Sequence, residues 1–329
     1  MPSLDLTPIF EALRQAARLC RIVQQQHVVR SEKAGHEPVT IADYGSQAIL
    51  CRAIQQLYPD DAVMSEENGR QFIDLLSDEQ RAVICDLIGH VIGTPVTEAQ
   101  VTDWLDFGKG RETARMWVID PIDGTKGFLA ERHYVNAVGV LVDRQPVTGL
   151  LAAPAYPGSY RGGALLHAID GAAYIESLAD SSDRRRIHVS QRTQVNTLRA
   201  LESVEKGHSG LARLARVRQI VGMDDRLVDQ ADSMEKYGRV AAGDAEVYMR
   251  LPRKGSTRPH NIWDHAPGAA IVTAAGGRIT DVDGSPLDYS SGTSLNNYGV
   301  IASNGAQHDA IIQGVQQLLR EEEAQEAAE

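Results

Sequence analysis

Residues 117–128, WVIDPIDGTKGF, bring two carboxylates to the end of an apolar, strand-like run. Two carboxylates that lie close together repel each other unless they share a proton or a cation. Pro121 fixes its own φ and has no amide N–H, which leaves the carbonyl oxygen of Ile122 free to act as a ligand. Gly124 allows a sharp turn, and Thr125 places a hydroxyl beside the second carboxylate. The stretch therefore predicts a cation-binding turn at the edge of a sheet.

Further acidic residues lie at the ends of other predicted elements. The full set consists of Asp43, Glu66, Glu67, Asp120, Asp123 and Asp264. Taken singly, each has a simpler interpretation as a helix cap or a solvated acid, and Asp264 in particular precedes a predicted helix at 267–275. Taken together, oxygen ligands without Cys or His favour hard cations such as Mg²⁺ or Mn²⁺. Three or four carboxylates can hold two such ions about 3.5–4 Å apart, which suits attack of an activated water on a phosphate.

The patterns around the motif predict helices before it and an antiparallel sheet after it. The strand-like runs VNAVGVLV, VTGLLAA and GALLHAI follow one another with turn residues between them. Upstream, AVMSEENG predicts a short strand that ends in acid, and residues 71–105 are helix-like with interruptions. A first helix is expected to bury Ile9, Leu13, Ala16, Cys20 and Val23. A second helix, with Asp43 in or near its first turn, is expected to bury Leu50, Ala53, Ile54 and Leu57.

A charged, Ser-rich segment, ADSSDRRR at about 179–186, is the best predicted domain boundary. It separates an α+β domain at 1–183, with the antiparallel sheet and most of the acids, from an α/β domain at 184–329 that contains Asp264. Strand-like and helix-like patterns alternate in the second domain, as is typical of a layered α/β arrangement. The acidic tail at 320–329 is predicted to be disordered.

Charge and motif content exclude several function classes. Lys and Arg total 33 against 44 Asp and Glu, a formal net charge of −11, which argues against a nucleic-acid polymer or an anionic membrane as the main partner. No apolar run approaches the roughly 20 residues that span a bilayer. The sequence lacks the motifs GxxxxGK[ST], GxGxxG, HExxH and GxSxG. Their absence argues against nucleotide binding through a P-loop or a Rossmann turn.

The cysteines and the N-terminus predict a cytoplasmic protein. Cys20, Cys51 and Cys85 are scattered and form no CxxC, as is typical of reduced thiols in a cytosol-like compartment. The first residues lack a basic start followed by an apolar segment, so no secretory signal is expected. A monomer is predicted, because the sequence shows no obvious exposed apolar face.

Three segments together resemble the signature of the lithium-sensitive phosphatase superfamily, which includes inositol monophosphatase and fructose-1,6-bisphosphatase. They are SEEN, WVIDPIDGTKGF and IWDHAPGAA, in this order. VTIADYGSQAIL, DPIDGTKGFL, VEKGHS, EVYMRLP and NIWDHAPG are similar to the branch of 3′(2′),5′-bisphosphate nucleotidases. The resemblance spans residues 34–310 and implies a layered α-β-α-β-α sandwich. It also implies Mg²⁺-dependent removal of the 3′-phosphate of adenosine 3′,5′-bisphosphate to give AMP, with inhibition by Li⁺ and, in many members, activity on the sulfated analogue.

The resemblance implies roles for individual residues. The implied metal ligands, for two or three Mg²⁺ or alternatively Mn²⁺ ions, are Glu66, Asp120, Asp123, Asp264 and the main-chain carbonyl of Ile122. Asp43 and Thr125 match the pair that orients and deprotonates the attacking water. The positions implied to bind substrate are Thr125, His208, Ser233, Lys236, Arg250 and Asp264. A Lys or Arg is expected to pair with the 5′-phosphate, and His208 or a neighbour to stack on the adenine.

The sequence departs from the superfamily pattern in two places and leaves alternatives open. Ser65 stands where glycine is usual, and AERHY follows GTKGFL where an Arg-Gly turn is more common. The basic stretch GKGRETAR is interpreted as a solvated loop. The remaining functional alternatives are an inositol- or sugar-phosphate phosphatase on the same scaffold, a catalytically silent nucleotide sensor and a cation-storage protein.

Overall fold

The computed structural model describes residues 4–26, 41–204, 210–252 and 260–327. Most helices in the first half of the chain precede its long strands, and one short helix follows the first long strand. These helices are α1 (Thr7–Gln26), α2 (Ile41–Leu57), α3 (Gly69–Leu75), α4 (Asp78–Ile92), α5 (Glu98–Leu105) and α6 (Thr125–Leu129). The strands are β1 (Ala62–Ser65), β2 (Arg115–Asp123), β3 (Val135–Val142), β4 (Gln145–Ala153), β5 (Ala164–Ile169), β6 (Ala172–Ser177) and β7 (Arg185–Ile187).

Strands and helices alternate in the second half, as the sequence predicts. The strands are β8 (Ala200–Glu202), β9 (Val228–Gln230), β10 (Val247–Arg250), β11 (His260–Asn261), β12 (Arg278–Thr280), β13 (Ser294–Leu295) and β14 (Val300–Ser303). The helices are α7 (Leu211–Val221), α8 (Glu235–Ala241), α9 (Ala266–Ala274) and α10 (His308–Glu326).

The first sheet contains β1 to β7 in sequential order. β1 pairs parallel with β2, and the later neighbours pair antiparallel, which confirms the predicted succession of antiparallel strands. β7 pairs with β6, so this sheet continues beyond residue 183. The division into domains at 1–183 and 184–329 stays a prediction.

Three apolar cores join the helices and sheets into five layers, because successive residues of a strand face opposite sides of its sheet. On β2, Trp117 packs in the core shared with α1 and α2, whereas Val118 packs in the core shared with α8 and α9. The second sheet, in the order β12-β14-β10-β8-β9, covers the other side of α8 and α9. Its Val247 and Ile301 face a third core with α7 and α10. The layered α-β-α-β-α fold is confirmed.

Capping residues divide the helix-like region at 71–105. The side chain of Ser77 accepts a hydrogen bond from the N–H of Gln80, whose own side chain accepts from the N–H of Ser77, at the start of α4. Thr97 and Gln100 repeat this capping box at the start of α5. Each box supplies partners for N–H groups that the first turn of a helix leaves unpaired. Local sequence therefore fixes where these helices begin.

Two predictions about helices are wrong. Leu57, expected in the buried stripe of α2, is 37% exposed because it ends the helix at the surface. The acidic tail expected to be disordered from residue 320 continues α10 as far as Glu326. It is held there by α7, since Glu321 and Glu322 accept hydrogen bonds from Arg216 and Arg213. Within the described ranges, no helix has the length and hydrophobicity that a bilayer crossing requires.

A close approach of α9 to the first sheet positions the turn that carries Asp264. Gly139 and Gly149 are paired across β3 and β4. A Cβ on Gly149 would lie 2.0 Å from the carbonyl oxygen of Pro267, and one on Gly139 would lie 2.8 Å from a Val118 methyl group and 3.2 Å from the Pro267 ring. Glycine at both positions is what allows α9 to rest on the strands.

We expect Gly149→Ala to lower the free energy of unfolding by about 3 kcal/mol, at the upper end of overpacking effects. The added methyl meets backbone, which cannot rotate away. Gly139→Ala is the matched comparison and is expected to cost less, since a Val118 rotamer change relieves its closest contact. Chemical denaturation measures both variants, and equal losses would contradict this explanation.

Candidate active site

β2 leaves its ladder with β3 at the turn that the sequence predicts. Pairing is regular up to Asp120↔Ala137 and shifts before Asp123↔Val135. A β-bulge of this kind re-aims the side chains that follow it. Gly124 comes next with φ 91°, a left-handed conformation that favours glycine, and α6 begins directly after it. The bulge and the glycine together redirect the chain at Asp123, directly after the last regular pair at Asp120.

A buried amide on β3 holds this bulge. The Nδ2 of Asn136 donates to the carbonyl oxygen of Pro121, and the Asn136 side chain is fully buried. Ser46 on α2 lies 3.3 Å from the same oxygen, but 2.7 Å from the carbonyl of Ala42 in its own helix. Because a hydroxyl has one proton to donate, Asn136 is the main donor to Pro121.

The two residues of the predicted water-activating pair lie at the starts of α2 and α6. Asp43 is buried in the first turn of α2. Thr125 opens α6, and its hydroxyl donates to the carbonyl oxygen of Ile122 at 3.2 Å. The hydroxyl and the carbonyl, both predicted as site groups, are therefore in contact.

The pKa of Asp120 responds to the charges of the other predicted acids. Burial raises the pKa of the Asp120 carboxyl well above its ordinary range. The neighbouring negative charges that raise this pKa further are those of Glu66, Asp123, Asp264 and Asp43. The Oδ1 atom of Asp120 is buried without a hydrogen-bond partner. Burial also raises the pKa of Asp123, against the opposing effects of Lys236, the Met234 N–H and Arg250.

The acids are near one another but do not form a finished ligand cage. Across residues 4–26, 41–204, 210–252 and 260–327, no group of three or more His, Cys, Asp or Glu side chains is arranged so that it could hold a metal ion. The chemistry of the set nevertheless fits a hard cation, because the ligands are oxygen atoms and Asp120 presents a buried carboxylate oxygen that lacks a donor. The site therefore has the charge for a cation, and its side chains must converge to bind one.

The two glutamates after β1 differ in their exposure to solvent. Glu66 is exposed, whereas Glu67 is buried. Ser65, which stands where the superfamily usually has glycine, is an ordinary strand residue that pairs with Ile119. The strand backbone therefore accommodates serine, although its buried hydroxyl has no hydrogen-bond partner, and Glu66 follows directly beyond the last pair.

Two cationic side chains lie opposite the acids. Lys236 on α8 is buried, and burial lowers its pKa to about 8 although Asp123 and Asp232 oppose that shift. Burial also lowers the pKa of Arg250 at the end of β10, but Tyr248, Asp264 and other neighbours outweigh it, so the net shift is upward. Both cations therefore interact electrostatically with Asp123, and Arg250 also with Asp264, while the nucleotide-binding role of these residues stays a prediction.

Ser233 lies beside the bulge in a left-handed conformation, with φ 63°. The next residue, Met234, donates its N–H to the Asp123 carboxylate, so the start of α8 is attached directly to the acidic turn. A Cβ on Gly124 would lie 3.1 Å from the Cβ of Ser233, which shows how closely the two segments approach. His208, which is also predicted to bind substrate, lies outside the described residues.

Asp264 lies in the turn before α9 and is not its N-cap residue. That position belongs to His265, which makes no side-chain capping bond. The Nδ1 of His265 lies 2.6 Å from the hydroxyl of Tyr237, and its Nε2 lies 3.0 Å from Nδ1 of His260. Burial lowers the pKa of His265 well below its ordinary value, so the imidazole that contacts Tyr237 and His260 is neutral. The turn that carries Asp264 is thereby fastened to α8.

The interpretation of GKGRETAR as a solvated loop is wrong for Lys109. Its ammonium group donates to the carbonyl oxygen of Glu67 and is half-buried. Burial lowers the pKa of Lys109, with Asp106 and Glu67 among the groups that oppose the shift. One lysine of the loop therefore belongs to the support of the acidic segment after β1.

Several groups that hold the site were missed in the sequence. They are Gln47, Lys109, Asn136, Tyr237, His260 and His265. A signal existed for two of them, because Asn136 is a lone amide in the apolar run VNAVGVLV and Gln47 follows Asp43 at the helical spacing of four. A polar side chain inside a buried pattern requires a partner, and here the partners are main-chain groups of the site.

Comparison with known proteins assigns the chain to a family. Residues 5–320 match the inositol monophosphatase family. This chain belongs to that family. A protein of Candida albicans named 3′(2′),5′-bisphosphate nucleotidase 2 is 31% identical over 94% of this chain and 95% of its own. A 3′(2′),5′-bisphosphate nucleotidase of Oryza sativa is 34% identical over 97% of this chain and 95% of its own. The family is metal-dependent and typically uses Mg²⁺.

Solved structures support the fold. An IMPase of Thermotoga maritima superposes with a TM-score of 0.67 at 20% identity, over 95% of this chain and 96% of its own. The extragenic suppressor protein suhB of Bartonella henselae superposes with a TM-score of 0.66 at 17% identity, over 94% of this chain and 97% of its own. At these identities the likeness establishes the inositol monophosphatase fold alone.

We expect the metal-free protein to lose stability as pH rises from about 4, the ordinary pKa of an unfolded Asp. The folded state has the higher Asp120 pKa, so it binds more protons than the unfolded chain in the window between the two values, and the free energy of unfolding falls as pH increases through it. Asp120→Asn removes this proton linkage and should flatten the decline. Denaturation in EDTA at pH 4.5 to 8 measures the effect.

Asp283→Asn is the matched control for this measurement. Hydrogen bonds from Ser285 lower the pKa of the Asp283 carboxyl, so its proton linkage lies below about pH 4 and Asp283→Asn should leave the slope between pH 4.5 and 8 unchanged. Parallel profiles for the wild type and Asp120→Asn would contradict the assigned environment of Asp120.

Proposed function

We propose that this chain is a phosphoric monoester hydrolase that removes the 3′-phosphate from adenosine 3′,5′-bisphosphate, giving AMP and phosphate. The observation that carries the proposal is the electrostatic attraction of Lys236 and Arg250 to Asp123, and of Arg250 to Asp264. The acidic part of the site suits metal-assisted hydrolysis of a phosphate ester. The cationic part suits binding of a second phosphate on the same substrate. The names of the curated relatives support this choice of substrate.

The metal would be Mg²⁺, in two or three sites, with Mn²⁺ as a substitute. The groups that would hold it are the carboxylates of Glu66, Asp120, Asp123 and Asp264 and the carbonyl oxygen of Ile122. When bound, the ions would make a water molecule more acidic and neutralise the charge of the phosphate. The raised pKa of Asp120 and its unpartnered oxygen support this assignment.

The protein's own residues orient the water and the substrate. In this role the Thr125 hydroxyl turns its proton from the Ile122 carbonyl oxygen to Asp43, so that its oxygen can accept a hydrogen bond from the attacking water, whose proton passes to Asp43. Lys236 and Arg250 bind the 5′-phosphate and thereby align the 3′-phosphate with the acids. The N-terminus of α9, next to Asp264, adds a favourable dipole for the phosphate. Ser233 contributes a hydroxyl, and His208 is assigned to the adenine.

The other functions have weaker support. An inositol-phosphate phosphatase would share the family and the acids, but it gives no reason for a buried lysine and a half-buried arginine beside Asp123. A silent nucleotide sensor would need no water-activating pair, whereas Asp43 and Thr125 are both present at the site. The sulfated analogue is proposed as a second substrate on the same contacts.

We expect phosphate release with Mg²⁺ to be fastest, in kcat/KM, for adenosine 3′,5′-bisphosphate. The comparison set is adenosine 3′-monophosphate, inositol 1-phosphate and fructose 1,6-bisphosphate. Arg250→Ala should lower kcat/KM for the bisphosphate about 10- to 100-fold, as expected when a charge-assisted hydrogen bond is lost. It should leave adenosine 3′-monophosphate nearly unaffected, because that substrate has no 5′-phosphate.

Two variants control this assay. Arg216→Ala removes a surface arginine that is bound to Glu321 and should leave every rate unchanged. Asp123→Asn should abolish turnover while the protein remains folded. Faster release from inositol or fructose phosphate than from the nucleotide would reject the proposed substrate.

A further inference from the structure

Gln47 makes a reciprocal pair of hydrogen bonds with the main chain of Glu67. Its Nε2 donates to the Glu67 carbonyl oxygen at 2.6 Å, and its Oε1 accepts from the Glu67 N–H at 2.8 Å. The Gln47 side chain is fully buried, and Glu67 is 6% exposed. A side-chain amide in this arrangement replaces the neighbouring strand that an extended peptide would otherwise pair with.

The position of Gln47 connects two parts of the candidate active site. It follows Asp43 by four residues on α2, so the two side chains share a face of the helix. Its partner, Glu67, directly follows Glu66, and the ladder between β1 and β2 ends at Ser65. The amide therefore fixes the distance between the helix turn that carries the proton acceptor and the peptide that carries a metal ligand.

The need for such a brace follows from the charges. Glu66 and Asp43 carry like charges on the two segments that Gln47 joins, so these segments repel one another in the metal-free protein. Glu66 is itself exposed. Lys109 donates to the same Glu67 carbonyl, but the buried Glu67 N–H is held by Gln47.

We propose that Gln47 is a positioning residue that sets the affinity of the site for divalent cations by holding Glu66 at a fixed distance from Asp43. The inference rests on the proposed metal-dependent function, but not on the identity of the substrate. Partners that orient metal ligands typically change metal affinity by about 10- to 100-fold when they are removed. A merely structural glutamine would change stability alone.

The chain offers a matched control in Asn304, another buried amide bound to main-chain groups. Its Nδ2 donates to the carbonyls of Ser190 at 3.0 Å and Arg192 at 2.8 Å, and its Oδ1 accepts from the Ala306 N–H. It follows β14 at the end away from Arg250, whose partner on that strand is Val300. Asn304→Leu therefore removes equivalent bonds far from the acids.

The experiment measures Mg²⁺ binding to metal-free Gln47→Met by calorimetry, together with the denaturation midpoint. We expect the Kd for Mg²⁺ to rise about 10- to 100-fold, while kcat at saturating Mg²⁺ is largely retained. Asn304→Leu should lower the midpoint and leave the Kd unchanged. If Gln47→Met does not fold, Gln47→Asn carries the test, since it keeps the amide but is one methylene too short to make both bonds.

An unchanged Kd in a folded Gln47 variant would overturn the inference and leave a structural role. Wild-type protein that binds no divalent cation would overturn both this inference and the proposed function. Wild-type protein that binds Mg²⁺ but prefers another phosphate ester would reject the proposed substrate alone. In that case a weakened Kd in Gln47→Met would still support the positioning role.

Discussion

Repulsion between buried carboxylates is the constraint on which the rest of the site depends. Asp120 is buried at the end of a sheet strand, and four other acids raise its pKa further. Such an arrangement is unfavourable for a metal-free fold, since each negative charge makes the next one more costly to bury. It becomes favourable when a divalent cation neutralises the charges. The surrounding structure is understood as the framework that keeps these acids close in spite of their repulsion.

That framework includes hydrogen bonds that involve main-chain groups. Asn136 holds Pro121 in the bulge, Gln47 holds Glu67 after β1, and Met234 donates to Asp123 from the start of α8. The first two contacts fix the peptide beside a ligand and leave the ligand's own oxygen atoms available, whereas the Met234 N–H holds one carboxylate oxygen of Asp123 itself. The close packing of α9 on Gly149 extends the same principle to the turn that carries Asp264.

Local patterns predicted most of the elements and the acidic turn. The apolar spacing of α1, the strand runs after the motif and the turn at Gly124 depend on neighbours in sequence, and all three are confirmed. What escaped prediction depends on distant contacts. The sequence around Lys109 indicates a charged loop, and only the fold shows that Lys109 contacts Glu67. The composition of the acidic tail predicts disorder, but arginines of α7 hold the tail in α10.

The same distinction applies within the site. The family resemblance pointed to the acids and to Lys236 and Arg250, whose side chains carry recognisable chemistry. It gave no sign of Gln47 or of the Tyr237–His265 contact, because these residues act through the main chain or through a neighbour. Nor does the sequence reveal that Glu66 is exposed while Glu67 is buried, since that depends on how β1 ends.

Proton release on metal binding tests the central claim most directly. Calorimetric titration of the metal-free protein with Mg²⁺, in buffers of different ionisation enthalpy, counts the protons that leave as the cation binds. Because burial and neighbouring charge raise the pKa of Asp120, the account predicts net proton release that grows as pH is lowered from 8 towards 5, together with a higher denaturation midpoint. Mg²⁺ binding without proton release, or no stabilisation by Mg²⁺ at all, would contradict it.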